Sequence, residues 1–210
     1  MAWPDILTFA FVATLLVISP GPNGVLIAKT VPTSGRNAGL ATVAGFLVSF
    51  YLHGALAILG ISVILMQSAV AFSVIKYLGA AYLCWIGVRA LIAAFKGEKP
   101  EMTAAPAKRT RTLLKAFGEG FLTNALNPKV SMFYLAAFPQ FITVGETSAW
   151  ASFMLVVIHS VINAVWFAAM VLLLDRFVSV AKNGSVQRWI KGVTGVVFIG
   201  FGAKLASYRP

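Results

Sequence analysis

Apolar residues gather into six long runs, at about Ile6–Ala28, Ala38–Ile61, Ala69–Phe95, Phe117–Phe141, Trp150–Leu174 and Arg188–Ser207. A helix needs roughly 20 apolar residues to cross a bilayer, so each run predicts a spanning helix. The pattern is that of an all-α integral membrane protein with six transmembrane helices. Lys96–Lys115 is the one long polar segment. It holds Pro100, Pro106 and the basic residues Lys108, Arg109, Arg111 and Lys115, and it reads as a cytoplasmic linker. One transmembrane domain therefore divides into residues 1–95, a linker at 96–115, and residues 116–210.

The two halves resemble each other. Ile75-Lys76, Gly87 and Arg89 in the third run recur as Ile190-Lys191, Gly202 and Lys204 in the sixth, at a constant offset of 115. His53 and His159 each sit in the middle run of their half, and each half has a proline motif in its first run. These three coincidences predict a duplicated three-helix unit. Because the unit has an odd number of spans, the second copy must be inverted in the membrane. Inverted repeats are a transporter architecture, with substrate held near the midplane where the repeats meet.

Two runs contain residues that a uniform helix does not tolerate. Ser19-Pro20-Gly21-Pro22-Asn23 interrupts the first, and Asn124-Ala125-Leu126-Asn127-Pro128-Lys129 interrupts the fourth. A proline lacks the backbone N–H and clashes with the preceding turn. Inside a bilayer the freed backbone groups must meet protein or a water-filled cavity. Both motifs are thus expected to face inward and to line a binding site. The half-helix start near Gly21–Asn23 suits an anionic group such as a carboxylate, and Asn23, Asn124 and Asn127 add donors and acceptors. Lys129 is a cation at depth, which should face the interior or snorkel outward; it is a candidate partner for a substrate carboxylate.

Composition agrees with this picture. The 210 residues are 59% hydrophobic and 11% charged, with a mean hydropathy of +0.86, whereas soluble domains run at roughly 25% charged. The net charge of +11 comes from 17 Lys and Arg against 6 Asp and Glu. These bases flank apolar runs and do not form a basic face interleaved with aromatics, which argues against nucleic acid. They follow runs 1, 3 and 5 (Lys29 and Arg36; the central cluster; Arg176, Lys182 and Arg188), so the cytoplasmic side is the linker side and both termini are expected outside. The first residues carry no base, unlike a cleaved signal peptide, so the first run is expected to be a permanent span.

Further polar groups are few. His53 and His159 titrate near neutral pH and are candidates to carry a coupling proton, as is Glu119 at the start of the fourth run. Cys84 is alone, which excludes a CxxC redox pair, and no local His, Cys or carboxylate spacing suggests a metal site. No His-Glu-x-x-His motif is present, and neither an enzyme activity nor a cofactor is expected. Trp3, Trp150, Trp189, Tyr77 and Tyr208 near run ends fit an aromatic belt. Gly79 and Gly87, with Gly192, Gly195, Gly200 and Gly202, should let runs 3 and 6 approach closely.

The run Ser19-Pro20-Gly21-Pro22-Asn23, followed by Gly120-Phe121, Asn124, Asn127-Pro128-Lys129, Phe133 and Phe138-Pro139-Gln140-Phe141, resembles the LysE/RhtB family of amino-acid exporters, in its RhtB-like branch. The resemblance covers nearly the whole chain. It implies export of a neutral amino acid or close derivative, of the homoserine, threonine or leucine type, from the bacterial cytoplasm across the inner membrane, by proton antiport. The implied site residues are Ser19, Pro20, Gly21, Pro22, Asn23, Gly120, Asn127, Pro128 and Lys129. Partners would be the amino acid, a proton and the bilayer, and a homo-oligomer is compatible with the sequence. The competing expectation is export of another small solute such as a metal cation.

Overall fold

The computed structural model describes residues 2–67, 69–97, 112–141, 149–174 and 184–207. Among them every element is helical and there is no strand. Most of the linker, Arg176, Lys182 and Tyr208 lie outside the described residues.

Helix α1 covers Trp3–Ile18. Asp5 sits in its first turn, where the Asp5 carboxylate accepts from the Ala2 N–H at 3.1 Å and complements the helix dipole. The helix stops because Pro20 excludes the α conformation for the residue before it. Ser19 is accordingly extended, at φ −61° and ψ 138°.

Helix α2 starts at Pro22, whose missing N–H costs nothing at a first helical position, and runs to Gln67. It contains Pro32 and one non-helical residue, Gly35, at φ 82° and ψ 173°. Only glycine adopts that conformation freely. The polar connection expected between Ala28 and Ala38 is thus present but reduced to a single residue: two helical segments meet at Gly35 and the chain folds back there, which brings Gly39 against Val31. The expected Ser62–Ala69 connection is likewise short, since α2 reaches Gln67 and α3 spans Ala69–Lys96. Gly97 follows α3 at φ 64°, the left-handed conformation that often ends a helix.

Helix α4, Leu113–Ala125, is capped by the Thr112 hydroxyl, which accepts from the Lys115 N–H at 3.3 Å. The helical path lapses at Leu126–Asn127 and resumes as α5, Pro128–Met132, with the Asn127 side chain capping its start. The backbone then widens into a π-helical segment, Phe133–Ala137, in which the Phe138 N–H donates to the Phe133 carbonyl, and tightens into a 3₁₀ turn at Phe138–Phe141. Helices α6, Ala149–Leu172, and α7, Gly184–Ser207, complete the described chain.

Among the described residues three stretches, Pro22–Leu59, Lys76–Lys96 and Ala149–Leu172, are long and apolar enough to cross a membrane. The helix breaks leave α1 with 16 residues and α4 with 13. Large apolar side chains face outward as well as into the core, and several polar groups are buried, unlike a soluble domain. Phe11, Leu56, Trp85, Leu122, Val165 and Val196 are exposed on six different helices, while Thr42, Ser49, Asn124, His159 and Asn163 are buried.

Glycines set the closest helix approaches. A Cβ on Gly45 of α2 would collide with the Phe117 carbonyl of α4, and one on Gly120 of α4 with the Thr42 carbonyl of α2. Helices α3 and α7 cross antiparallel. A Cβ on Gly87 would lie 2.7 Å from the Gly195 carbonyl, and one on Gly202 would lie 2.8 Å from the Ala80 carbonyl. Gly192 and Gly200 were expected on this interface too, but a Cβ on either would meet nothing within 4 Å.

Candidate functional site

The end of α1 and the gap between α4 and α5 meet inside the bundle, and the residues at both build one polar centre. Ser19, Pro20 and Gly21 separate α1 from α2, which leaves the last carbonyls of α1 without helical donors. Lys129, on the first turn of α5, supplies donors. Its Nζ donates to the Leu16 carbonyl at 2.9 Å, the Ser19 carbonyl at 2.9 Å and the Ser19 hydroxyl at 3.0 Å. A Cβ on Gly21 would lie 3.0 Å from that Nζ, so the glycine makes room for the ammonium. Lys129, a candidate partner for a substrate carboxylate, here clamps one break to the other.

Asn23, Asn124 and Asn127 are all buried and form one cluster. The Asn23 side-chain NH₂ donates to the Asn124 side-chain oxygen at 2.7 Å, and the Asn127 NH₂ reaches the Asn23 oxygen at 3.5 Å. Asn124 in turn donates to the Phe46 carbonyl and the Ser49 hydroxyl of α2, each at 3.2 Å. The Asn127 oxygen accepts from the Lys129 N–H at 3.1 Å. His53 Nε2 lies 3.3 Å from the Asn124 carbonyl. The cluster therefore ties the start of α2, the middle of α2 and both sides of the α4–α5 gap.

Next to it is an aromatic column. The Tyr134 ring lies between His53 and His159, nearly parallel to both, with centroid distances of 5.7 and 5.6 Å and interplanar angles of 11° and 17°. Phe50, Phe133 and Phe9 surround His159 at 4.4, 5.1 and 6.3 Å. Both His159 ring nitrogens, the Tyr134 hydroxyl, the Ser160 hydroxyl and the Asn163 side-chain oxygen are buried without a hydrogen-bond partner among the described residues. Such groups are costly in a core and are rare unless function requires them.

Of the residues singled out from the sequence, Ser19, Gly21, Asn23, Asn124, Asn127, Lys129 and His53 converge, while Pro20, Pro22 and Pro128 are exposed at the two breaks and set the backbone geometry there. His159 is reached through Tyr134. Glu119 is half-buried on α4, more than a turn before Asn124 and next to the Gly120 contact. Sequence reasoning missed Ser49 and Tyr134. Ser49 was findable, because Thr42, Ser49 and His53 fall at helical spacing on one face of α2. Tyr134 carried no signal, being one aromatic among many in an apolar run.

The sequence matches the family model described as LysE type translocator over residues 14–209. An uncharacterized membrane protein of Bacillus subtilis (strain 168), YrhP, is 31% identical over 207 residues, which cover 95% of this chain and 97% of that protein. The threonine efflux protein of Escherichia coli (strain K12) is 29% identical, covering 97% and 98%. The leucine efflux protein of Klebsiella pneumoniae subsp. pneumoniae is 30% identical, covering 97% and 95%. No solved structure matches the chain. Since the match runs almost from end to end and takes in both helix breaks, the chain belongs to the LysE type translocator family of membrane transporters.

Proposed function

We propose that this protein is a secondary exporter of neutral amino acids or close derivatives, of the homoserine, threonine or leucine type, driven by inward proton flow. The observation that carries the proposal is the buried asparagine cluster at the meeting point of the two helix breaks. It offers amide donors and acceptors in an apolar bundle, beside the start of α2, where the N-terminal dipole favours a carboxylate. Similarity to threonine and leucine efflux proteins supports the substrate class.

The architecture in this proposal is six spans in two inverted three-helix repeats. Helices α3 and α7 support it. Cys84 Sγ lies 3.9 Å from the Ile199 carbonyl, a pair 115 residues apart, the offset at which the two runs resemble each other. About that pair the Gly87–Gly195 contact is matched by Gly202–Ala80, as a pseudo-twofold axis requires. One common separation also links Pro22 to Pro128 and His53 to His159. Substrate would bind between the repeats, lined by Ser19, Pro20, Gly21, Pro22, Asn23, Asn124, Asn127 and Pro128, with Lys129 fixing the α1 end. Rocking of the repeats alternates access. The protein sits in the bacterial inner membrane with its linker cytoplasmic and its termini outside.

Efflux tests the proposal. Cells expressing the protein are preloaded with dipeptides, and released amino acids are followed with and without a protonophore. Protein-dependent, protonophore-sensitive release of a neutral amino acid is expected. Asn127→Ala and Pro128→Ala should reduce it to the control rate while still inserting in the membrane. Full activity in both variants would rule out the assigned site.

His53 and His159 are the proposed proton carriers, with Glu119 the third candidate. His159→Phe separates chemistry from packing, because a phenyl ring fills the same aromatic cage and removes two unpartnered nitrogens. Its melting temperature should stay within a few degrees of wild type or rise. Proton-driven efflux should fall at least about tenfold, a barrier increase of about 1.4 kcal/mol. Undiminished proton-driven efflux would take His159 out of the proton path.

A further inference from the structure

A free ammonium and a chelated metal ion are both held by rings of oxygen, and the end of α1 presents such a ring to a lysine. The Leu16 carbonyl, the Ser19 carbonyl and the Ser19 hydroxyl lie 2.9, 2.9 and 3.0 Å from Lys129 Nζ. Three acceptors meet the three donors of one ammonium. The distances are ordinary N–H···O lengths. No carboxylate neutralises this lysine among the described residues; its charge is balanced by carbonyl dipoles at the negative end of α1. The pocket is built for the charge in two further respects. Pro20 and Pro22 withhold the backbone N–H groups that would otherwise compete near those carbonyls. Gly21 leaves the space that a methyl group, 3.0 Å from Nζ and 3.4 Å from Cε, would take.

We propose that the C-terminal end of α1 is a binding site for a small monovalent cation of ammonium size, and that Lys129 fills it permanently with its own tethered ammonium. The lysine does in one chain what a free cation would do in a protein lacking it: it holds the two helix breaks together. The folded protein is then independent of the ionic composition on either side of the membrane. Removing the side chain should convert a built-in cation into an exchangeable one. This rests on the lysine's own contacts and is independent of which solute is exported.

The test is thermal unfolding of purified protein in nanodiscs, in ammonium, potassium, sodium or choline chloride at equal ionic strength. Wild type should melt at one temperature in all four. Lys129→Ala should melt lower in choline and recover by about 3–5 °C in about 100 mM ammonium, saturably, as expected for a ligand that binds only the folded state. Lys129→Met, which refills the space without a charge, should show no such recovery. The proposal is overturned if Lys129→Ala is equally stable in all four salts. It is also overturned if Lys129→Ala is unfolded in every one of them, or if Lys129→Met responds to ammonium as strongly as Lys129→Ala. Because the readout is stability, failure of the cation site leaves the efflux result untouched, and failure of efflux leaves the cation site standing.

Discussion

Gly120→Ala is expected to lower the melting temperature by about 5–10 °C or to leave little folded protein in the membrane. The reason is geometric. The added methyl would collide with the Thr42 carbonyl, with the Thr42 carbon atoms at 2.9 and 3.0 Å behind it. These are backbone atoms of a neighbouring helix, not the movable end of a side chain. The only relief is to push α2 and α4 apart. Overpacking costs typically 1–3 kcal/mol, and each kcal/mol moves the melting point of a chain this size by roughly 2–4 °C. The same contact is made from the other side by Gly45, so separation would disturb two rows of packing at once. It would also pull Asn124, on α4, away from Phe46 and Ser49, on α2. Gly118→Ala is the matched control. It lies on the same helix, two residues away, and its Cβ would meet nothing within 4 Å. Its stability should be unchanged or slightly improved, since alanine is the better helix former. Equal melting temperatures for the two variants would show that α2 and α4 do not approach as closely as described.

Asn124→Leu should have the second large effect, and it falls on both stability and transport. The substitution preserves volume and removes the three hydrogen bonds that the side chain makes. Asn23 loses its acceptor, and Phe46 and Ser49 lose their donor. Each buried group left unpaired costs about 1–3 kcal/mol. A drop of about 5–10 °C in melting temperature is expected, and efflux should fall to the background of control cells. Ser49→Ala is the graded comparison. It removes one contact and leaves Asn124 bound to Phe46 and Asn23, so the protein should fold and retain measurable efflux. Wild-type efflux from Asn124→Leu would mean that the asparagine cluster is a packing device and that substrate binds elsewhere.

Much of this was legible in the sequence because prolines and apolar runs act locally. The runs starting at Ala69 and Trp150 coincide with α3 and α6, and Pro22 and Pro128 each open a helix. Asn23, Asn124 and Asn127 were legible as polar groups with nowhere to go in lipid. What was not legible depended on contacts between distant segments. The acceptors of Lys129 lie more than a hundred residues away in the chain, so nothing near Lys129 announces them. The connection expected around Gly35 was legible from its charges but not its length: a single glycine at positive φ makes the turn, and the flanking residues that carry Lys29 and Arg36 stay helical. Gly192 and Gly200 were grouped with Gly195 and Gly202 by composition; only the partner helix decides which of them meets a backbone. The widened turn at Phe133–Ala137 contains no proline or glycine to mark it.

That widened turn has a mechanical consequence. A π turn stores one residue more than an α turn of the same height: if the Phe138 N–H exchanged the Phe133 carbonyl for that of Tyr134, the turn would close to α geometry, and Pro139, which has no N–H, could not take the wide turn over. Closing the turn in this way rotates everything beyond it by roughly 100° about the helix axis, the angle that one residue subtends. Phe138 and Phe141, which pack edge-on against Phe9, would then leave α1 while Asn127 and Lys129 stayed in place. The chain thus contains a screw thread between its polar centre and its aromatic rim, able to turn one end while the other is held.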